Sequence, residues 1–390
     1  MDDVLIYGEV ERAQVWMERV HEQPWSLVCT LGFTETALIP GISAAGKTPE
    51  DRRWTAIADS EFLSQGLAPR PAMDTDSYPL PPLAAGLSPV VITRALVEAG
   101  QIPLKIFNAG LPIASSGTGF DLQGQPAACL SSGRALALAD VKHLFEAGLD
   151  WGQRLATAAP DRYFVLGECV VGGTTTALGI LTGLGIAAEG RVNSSHPRCN
   201  HAQKQALVDQ GLSARFGNCR FGDRLSSLSP SPLEIVAAVG DPMQPFVAGL
   251  AIAASRTLSI LLAGGTQMLA VYALAAALAQ DQHLAWNPEN IAVGTTRWVA
   301  ADPSGDTPGL AQAIGQRFWP PPILLATALE FSASPHAALR AYEAGFVKEG
   351  VAAGGSAIAT CLTRGISSEQ LRREIDEFCD RYYQWRSGHN

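Results

Sequence analysis

Lys/Arg clusters, paired cysteines and a signal-peptide core are all missing from this 390-residue chain. Without a basic patch, and with a net charge of −9, nucleic acid is a poor fit as main partner. The seven cysteines (Cys29, Cys129, Cys169, Cys199, Cys219, Cys361, Cys379) are odd in number, scattered, and form no Cys-x-x-Cys pair. That pattern fits a reduced, cytoplasmic setting. The N-terminal MDDVLIYGEVER is acidic and has no apolar h-region, in line with the same location. Charge is scarce as well, 17% of residues against 47% hydrophobic, which suits an extensive interior in one large domain or two. Residues 257–280 carry no charge over a length that could span a bilayer. Gly264-Gly265-Thr266-Gln267 interrupts them, so they read as a buried strand and a buried helix, and no membrane partner is expected.

What is present centres on residues 163–186. An apolar run, Tyr163-Phe164-Val165-Leu166, suits a buried strand; Glu168 follows, then Gly172-Gly173, Thr174-Thr175-Thr176 and an apolar helix over 177–186. Glycines let backbone approach a ligand closely, and threonines at a helix start offer O–H and N–H donors to an anion. The unit reads as a holder for a phosphorylated small molecule, with Glu168 beside it.

In chain order, the pattern predicts a helix over 4–20, a strand over 26–31, a proline-rich surface loop over 66–89, a helix over 90–99 and a strand over 104–107. Helix follows over 137–157 and 202–211. Strands are expected at 235–239, 257–263 and 322–329, and helices at 246–254, 267–280, 336–344 and from 353 to about 361. Asn193, Ser194 and Ser195 form a donor-rich loop, with Lys204 early in the next helix. Ser367 with Gln370 makes a capping box, and Leu371, Ile375, Phe378, Tyr382 and Trp385 form one helical stripe. The expectation is an α/β fold: an open, largely parallel, Rossmann-like sheet with helices on both faces over residues 25–365. The chain ends, 1–24 and 366–390, form a small helical part packed on it. Glu168, Asp241, Gly264 and Ser332 are placed at strand ends, where such sheets bind ligands.

Two further motifs compete for attention. Gly41–Thr48 fits the P-loop pattern G-x-x-x-x-G-K-[ST]. Pro40 and Pro49 flank it, however, and 34–39 is no convincing strand. A P-loop NTPase with Asp241 as its acidic partner stays open as an alternative, as does a non-catalytic mononucleotide-binding protein. His196, Cys199 and His201 supply three ligand types without a plausible fourth, whereas closed zinc sites use four. They read as polar loop residues, and no metal or cofactor is expected.

The stretch Gly167-Glu168-Cys169-Val170-Val171-Gly172-Gly173-Thr174-Thr175-Thr176-Ala177 resembles the Gly-Glu-x-x-x-x-Asn-Thr-Thr-Thr-Ala motif of the nicotinate-nucleotide–dimethylbenzimidazole phosphoribosyltransferase family. The resemblance covers about residues 90–359 and puts that family's phosphate-binding lysine at Lys204, its strand-end serine at Ser332 and its catalytic glutamate at Glu349, in Lys348-Glu349-Gly350. Gly173 stands where the family has Asn, and Glu330-Phe331 where it has His-Leu, as in a divergent branch. The resemblance implies transfer of phosphoribose from nicotinate mononucleotide to a benzimidazole-type or purine base, in a homodimer. It makes Thr175, Asn193, Lys204, Gly265 and Ser332 candidates for holding phosphate and ribose, with Gly173, Thr174, Thr176, Ser194, Ser195 and Gly264 in the substrate-binding set. Glu349 becomes the general base. Glu168 and Asp241 either bind ribose hydroxyls, support Glu349, or serve as structural carboxylates capping glycine-turn N–H groups.

Overall fold

The computed structural model describes residues 3–68, 78–217 and 230–388. The middle of the proline-rich 66–89 loop and Cys219 therefore lie outside the described residues. The strands are β1 (Val4–Tyr7), β2 (Trp25–Gly32), β3 (Leu104–Gly110), β4 (Phe120–Asp121), β5 (Tyr163–Cys169), β6 (Ile260–Ala263), β7 (Ile291–Thr296) and β8 (Ile323–Thr327). The helices are α1 (Val10–Val20), α2 (Pro49–Gln65), α3 (Pro89–Gly100), α4 (Leu138–Ala158), α5 (Gly173–Gly183), α6 (His201–Phe216) and α7 (Pro232–Val239). They continue as α8 (Met243–Ala254), α9 (Gly265–Asp281), α10 (Arg297–Ala300), α11 (Thr307–Arg317), α12 (Ala337–Arg340), α13 (Ala353–Arg364) and α14 (Ser368–Gly388).

One eight-stranded sheet runs β1-β8-β7-β6-β5-β2-β3-β4, parallel throughout except for β1 on β8. The strands are apolar on consecutive residues because both faces are covered. In β5, Phe164 and Leu166 face a core shared with α4, α5, α8 and α9. Tyr163 and Val165, pointing the other way, face α1, α3, α13 and α14. The fold class read from the sequence is the one observed.

Local differences have identifiable causes. The expected helix over 4–20 is interrupted at Gly8, whose φ is 83°, so Val4–Tyr7 forms edge strand β1 and only Val10–Val20 is helical. The expected strand over 235–239 is helix α7: Ser231 and Glu234 make a reciprocal capping box, and Pro232 occupies the first turn. Asp241 therefore follows a helix, not a strand. The helix expected over 336–344 shrinks to the four residues of α12. Strand β7 and helices α10 and α11 carried no expectation.

The strand order reverses between β2 and β5, whose neighbours continue outward in opposite directions. Ligand crevices form outside strand C-termini at such a switch point. Glu168 sits at the C-terminal end of β5, beside it.

Candidate active site

A cavity opens at this edge of the sheet. Its wall includes Glu168, Gly173, Thr174, Asn193, Ser194, Ser195, Gly265, Gln267, Lys348 and Glu349. Seven of the residues singled out from the sequence as the substrate set meet here together with Glu349.

Glu168 is buried, and its Oε2 accepts from Val170 N at 3.0 Å and Gln267 Nε2 at 2.8 Å. Burial, reinforced by Asp241 and Glu349 nearby, pushes its carboxyl up to about 8. At neutral pH it is therefore mainly a neutral acid. Glu349, half-buried, stands just before α13. Its Oε1 accepts from Gly350 N and Gly354 N, each at 3.1 Å, and its Oε2 from Thr295 Oγ1 at 3.0 Å and Thr296 N at 2.8 Å. Burial raises its carboxyl and these four donors oppose the shift. A Cβ on Gly354 would lie 2.5 Å from Glu349 Oε2, so only glycine admits this approach.

The backbone around Glu349 is strained. Val347, Lys348, Val351 and Ala352 all adopt left-handed φ values of 67°, 67°, 49° and 65°. Such clusters persist where surrounding structure holds them, typically at ligand sites.

The other side of the cavity is rich in hydrogen-bond donors. Helices α5 and α9 both begin here, and neither has a side-chain cap: Gly172 and Gly264 occupy the capping positions. In α5, Gly173 N and Thr175 N already donate to the carbonyls of Val170 and Gly172, so Thr174 N and the first turn of α9 are what this side leaves for a ligand. Ser194 Oγ is buried without a hydrogen-bond partner among the described residues. Ser195 Oγ accepts from Ala44 N at 2.8 Å and lies 3.2 Å from Ser43 Oγ. Asn193 is already engaged: Nδ2 donates to Asp302 Oδ2 at 2.9 Å, and Oδ1 accepts from Thr307 Oγ1 at 2.6 Å.

Other expected site residues are placed differently. Lys204 is fully buried behind the cavity, where Nζ donates to the carbonyls of Val192 and Asn193 at 2.7 Å each. Burial lowers its ammonium to about 8. Its role here is to hold the 193–195 loop in place. The cation that reaches the cavity wall is Lys348, whose Nζ is paired with Asp302 Oδ2. Thr176 Oγ1 donates to buried Asp241 at 2.6 Å, and Asp241 Oδ1 accepts from Met243 N, so both act beneath the wall and not in it. Thr175 is buried under α5's first turn, its hydroxyl without a partner among the described residues, also outside the wall. Gly264 caps α9 and leaves the wall to Gly265. Ser332 is exposed and away from the cavity; its neighbour Ser334 turns inward instead, to Asp376.

Gly41–Thr48 lacks the strand that a phosphate cradle follows. A 3-10 turn, Glu35–Leu38, precedes it, Lys47 is exposed, and Thr48 caps α2 through Asp51. Its carbonyls are instead held by His196 and Asn200, which both donate to Gly41 O, so Ser43 and Ala45 complete the cavity wall. His201 meets Ser304 O, and among the described residues no group of three His, Cys, Asp or Glu is arranged to hold a metal. No helix among them is long and apolar enough to cross a membrane.

Sheet, switch point and cavity together define an α/β protein with the fold of the CobT-type phosphoribosyltransferases. The structure of CobT from Thermus thermophilus superposes with a TM-score of 0.57 at 16% identity, covering 94% of this chain and 90% of that one. The nicotinate-nucleotide-dimethylbenzimidazole phosphoribosyltransferase of the same organism gives 0.55 at 16% identity, covering 96% and 92%. The chain belongs to the UPF0284 family. It is 54% identical over 379 residues to a UPF0284 protein of Nostoc sp. (strain PCC 7120), covering 96% of this chain and 97% of that protein. It is 55% identical over 373 residues to one of Microcystis aeruginosa (strain NIES-843), with the same coverage. No protein-family model matches the chain. The resemblance read from the sequence thus holds at the level of fold.

Proposed function

We propose that the protein transfers phosphoribose from nicotinate mononucleotide to a ring nitrogen of a benzimidazole-type or purine base. The observation that carries this reading is the meeting of two uncapped helix N-termini, α5 and α9, with Glu168 and Glu349 in one cavity. The N-termini and Ser194 suit a 5′-phosphate. The carboxylates suit ribose and a proton-bearing base.

The chemistry asks little else. In nicotinate mononucleotide the pyridine nitrogen is quaternary. When the C1′–N bond breaks, its electron pair returns to that nitrogen and cancels the positive charge. A lone pair on the acceptor base forms the new C1′–N bond, and the base's ring N–H proton passes to a carboxylate. Glu349 takes that role, because its four donors favour the ionised state that burial opposes, and they fix its position. Glu168, neutral at pH 7, donates to a ribose oxygen. The remaining contribution is to hold two rings and the sugar in line. The same resemblance supports a cytoplasmic homodimer, checked by sedimentation of the purified chain.

The test is nicotinate release from nicotinate mononucleotide with dimethylbenzimidazole or adenine as acceptor. Glu349→Gln keeps shape but takes no proton. It is expected to lower turnover by about 10²–10⁴-fold with nucleotide affinity nearly intact. Equal rates in wild type and variant would move the base to Glu168. Binding of the nucleotide without turnover of any acceptor would leave a mononucleotide-binding protein.

A further inference from the structure

One carboxylate in the cavity wall has no part in the reaction described above. Asp59 lies on α2, only 3% exposed, one turn after Thr55, which also lines the cavity. Pro81, Leu83, Pro89 and Val351 give the same cavity apolar wall. Asp59 Oδ1 accepts from Ser88 Oγ at 2.8 Å; among the described residues Oδ2 has only the thiol of Cys169 at 3.4 Å, a weak donor. Among the described residues no cation pairs with it. Burial holds its carboxyl at about 6, so near neutrality it is mostly ionised and can only accept. A buried carboxylate with one weakly served oxygen costs stability unless something supplies a donor.

Asp59 and Glu349 line the same cavity. Ser88 bonds Asp59, and Pro89 next to it packs on the Glu349 turn: a Cβ on Gly350 would sit 3.3 Å from Pro89 Cγ. A flat base lying between the prolines and Val351 with its imidazole side toward Glu349 would turn its six-membered ring toward α2. A dimethylbenzimidazole offers Asp59 only C–H groups there. An aminopurine offers an N–H.

We propose that Asp59 selects the acceptor base by accepting a hydrogen bond from an exocyclic amino group, which makes aminopurines the preferred acceptors. The proposal rests on the phosphoribosyl-transfer reading and narrows its substrate. A site built to accept an N–H discriminates strongly against analogues that lack it.

Binding separates the two ideas. The affinities of adenine, unsubstituted purine and 5,6-dimethylbenzimidazole are measured by calorimetry with the full chain, with and without ribose 5-phosphate, which cannot react. Wild type is expected to bind adenine about 10- to 100-fold more tightly than purine, the range for a hydrogen bond to a charged group. Asp59→Ala and Asp59→Asn are expected to shrink that ratio and to leave dimethylbenzimidazole unaffected or tighter. Equal affinity of wild type for adenine and purine overturns the proposal without any variant, as does an unchanged ratio in Asp59→Ala. Selective adenine binding with no turnover of any acceptor would sink the transferase reading while base selection by Asp59 stands.

Discussion

The Gln267 carboxamide occupies the space that a side chain at Gly173 would fill: a Cβ there would lie 2.2 Å from Nε2. That same nitrogen donates to Glu168 Oε2 at 2.8 Å. The missing side chain at 173, where the resembled family carries Asn, is thus matched by an amide arriving from α9.

Gly173→Asn should therefore push Gln267 off Glu168 and lower turnover. Gln267→Ala should lower it too, by removing a donor from a buried carboxyl. In the double variant Gly173→Asn/Gln267→Ala the new amide has room, and activity should recover above either single change. Additive losses in such a cycle would show that the two positions are not coupled.

The pH dependence of stability follows from Glu168. Its folded carboxyl, at about 8, lies above the ordinary value of 4.5, so the folded state holds a proton that the unfolded state has released. Its favourable contribution is complete below about 4.5 and is lost as pH rises through 8. Glu168→Gln keeps the neutral form at every pH. Relative to wild type, its Tm should gain about 2–6 °C at pH 8 and little at pH 4.5. A gain that is flat across this range would refute the shifted carboxyl.

Lys204 supports the 193–195 loop from behind the cavity wall. Lys204→Met removes both tethers to Val192 and Asn193. It should weaken nucleotide binding by about 1–3 kcal/mol and lower Tm together. Loss of binding at unchanged Tm, seen by calorimetry and thermal melting, would place the ammonium on the phosphate instead.

Lys47 faces solvent ahead of α2. Lys47→Ala should leave mononucleotide binding unchanged. ATP binding by the wild type that disappears in this variant would restore the P-loop reading.

Much of the fold was legible because local signals agreed. The β5 run, its glycines and the following helix read correctly, as did α14, where Ser367 N donates to Gln370 Oε1 at 2.9 Å. The 235–239 strand was misread since apolar content outweighed the Ser231–Glu234 capping signature, which was there to be found. Half of the site depends on long-range meetings that no spacing announces. Lys348 finds Asp302, 46 residues away, and Glu349 finds Thr295 across an unanticipated β7. Asp59 had no signal at all: α2 buries Asp59, Ser60 and Glu61 in succession, so no polar face set it apart.

Strand β1 carries a practical consequence. It is the antiparallel cover over β8, where Val4 pairs with Thr327 and Tyr7 with Leu324. Asp3 extends the seal, accepting from Ala328 N through its carbonyl and from Ser368 N through its carboxylate. A chain shortened by eight residues would bare the edge of Ile323-Leu324-Leu325-Ala326-Thr327, an uncharged template for strand addition. Purification handles therefore belong after the α14 helix, and proteolytic nicking near residue 8 should convert a monodisperse preparation into one that aggregates through its sheets.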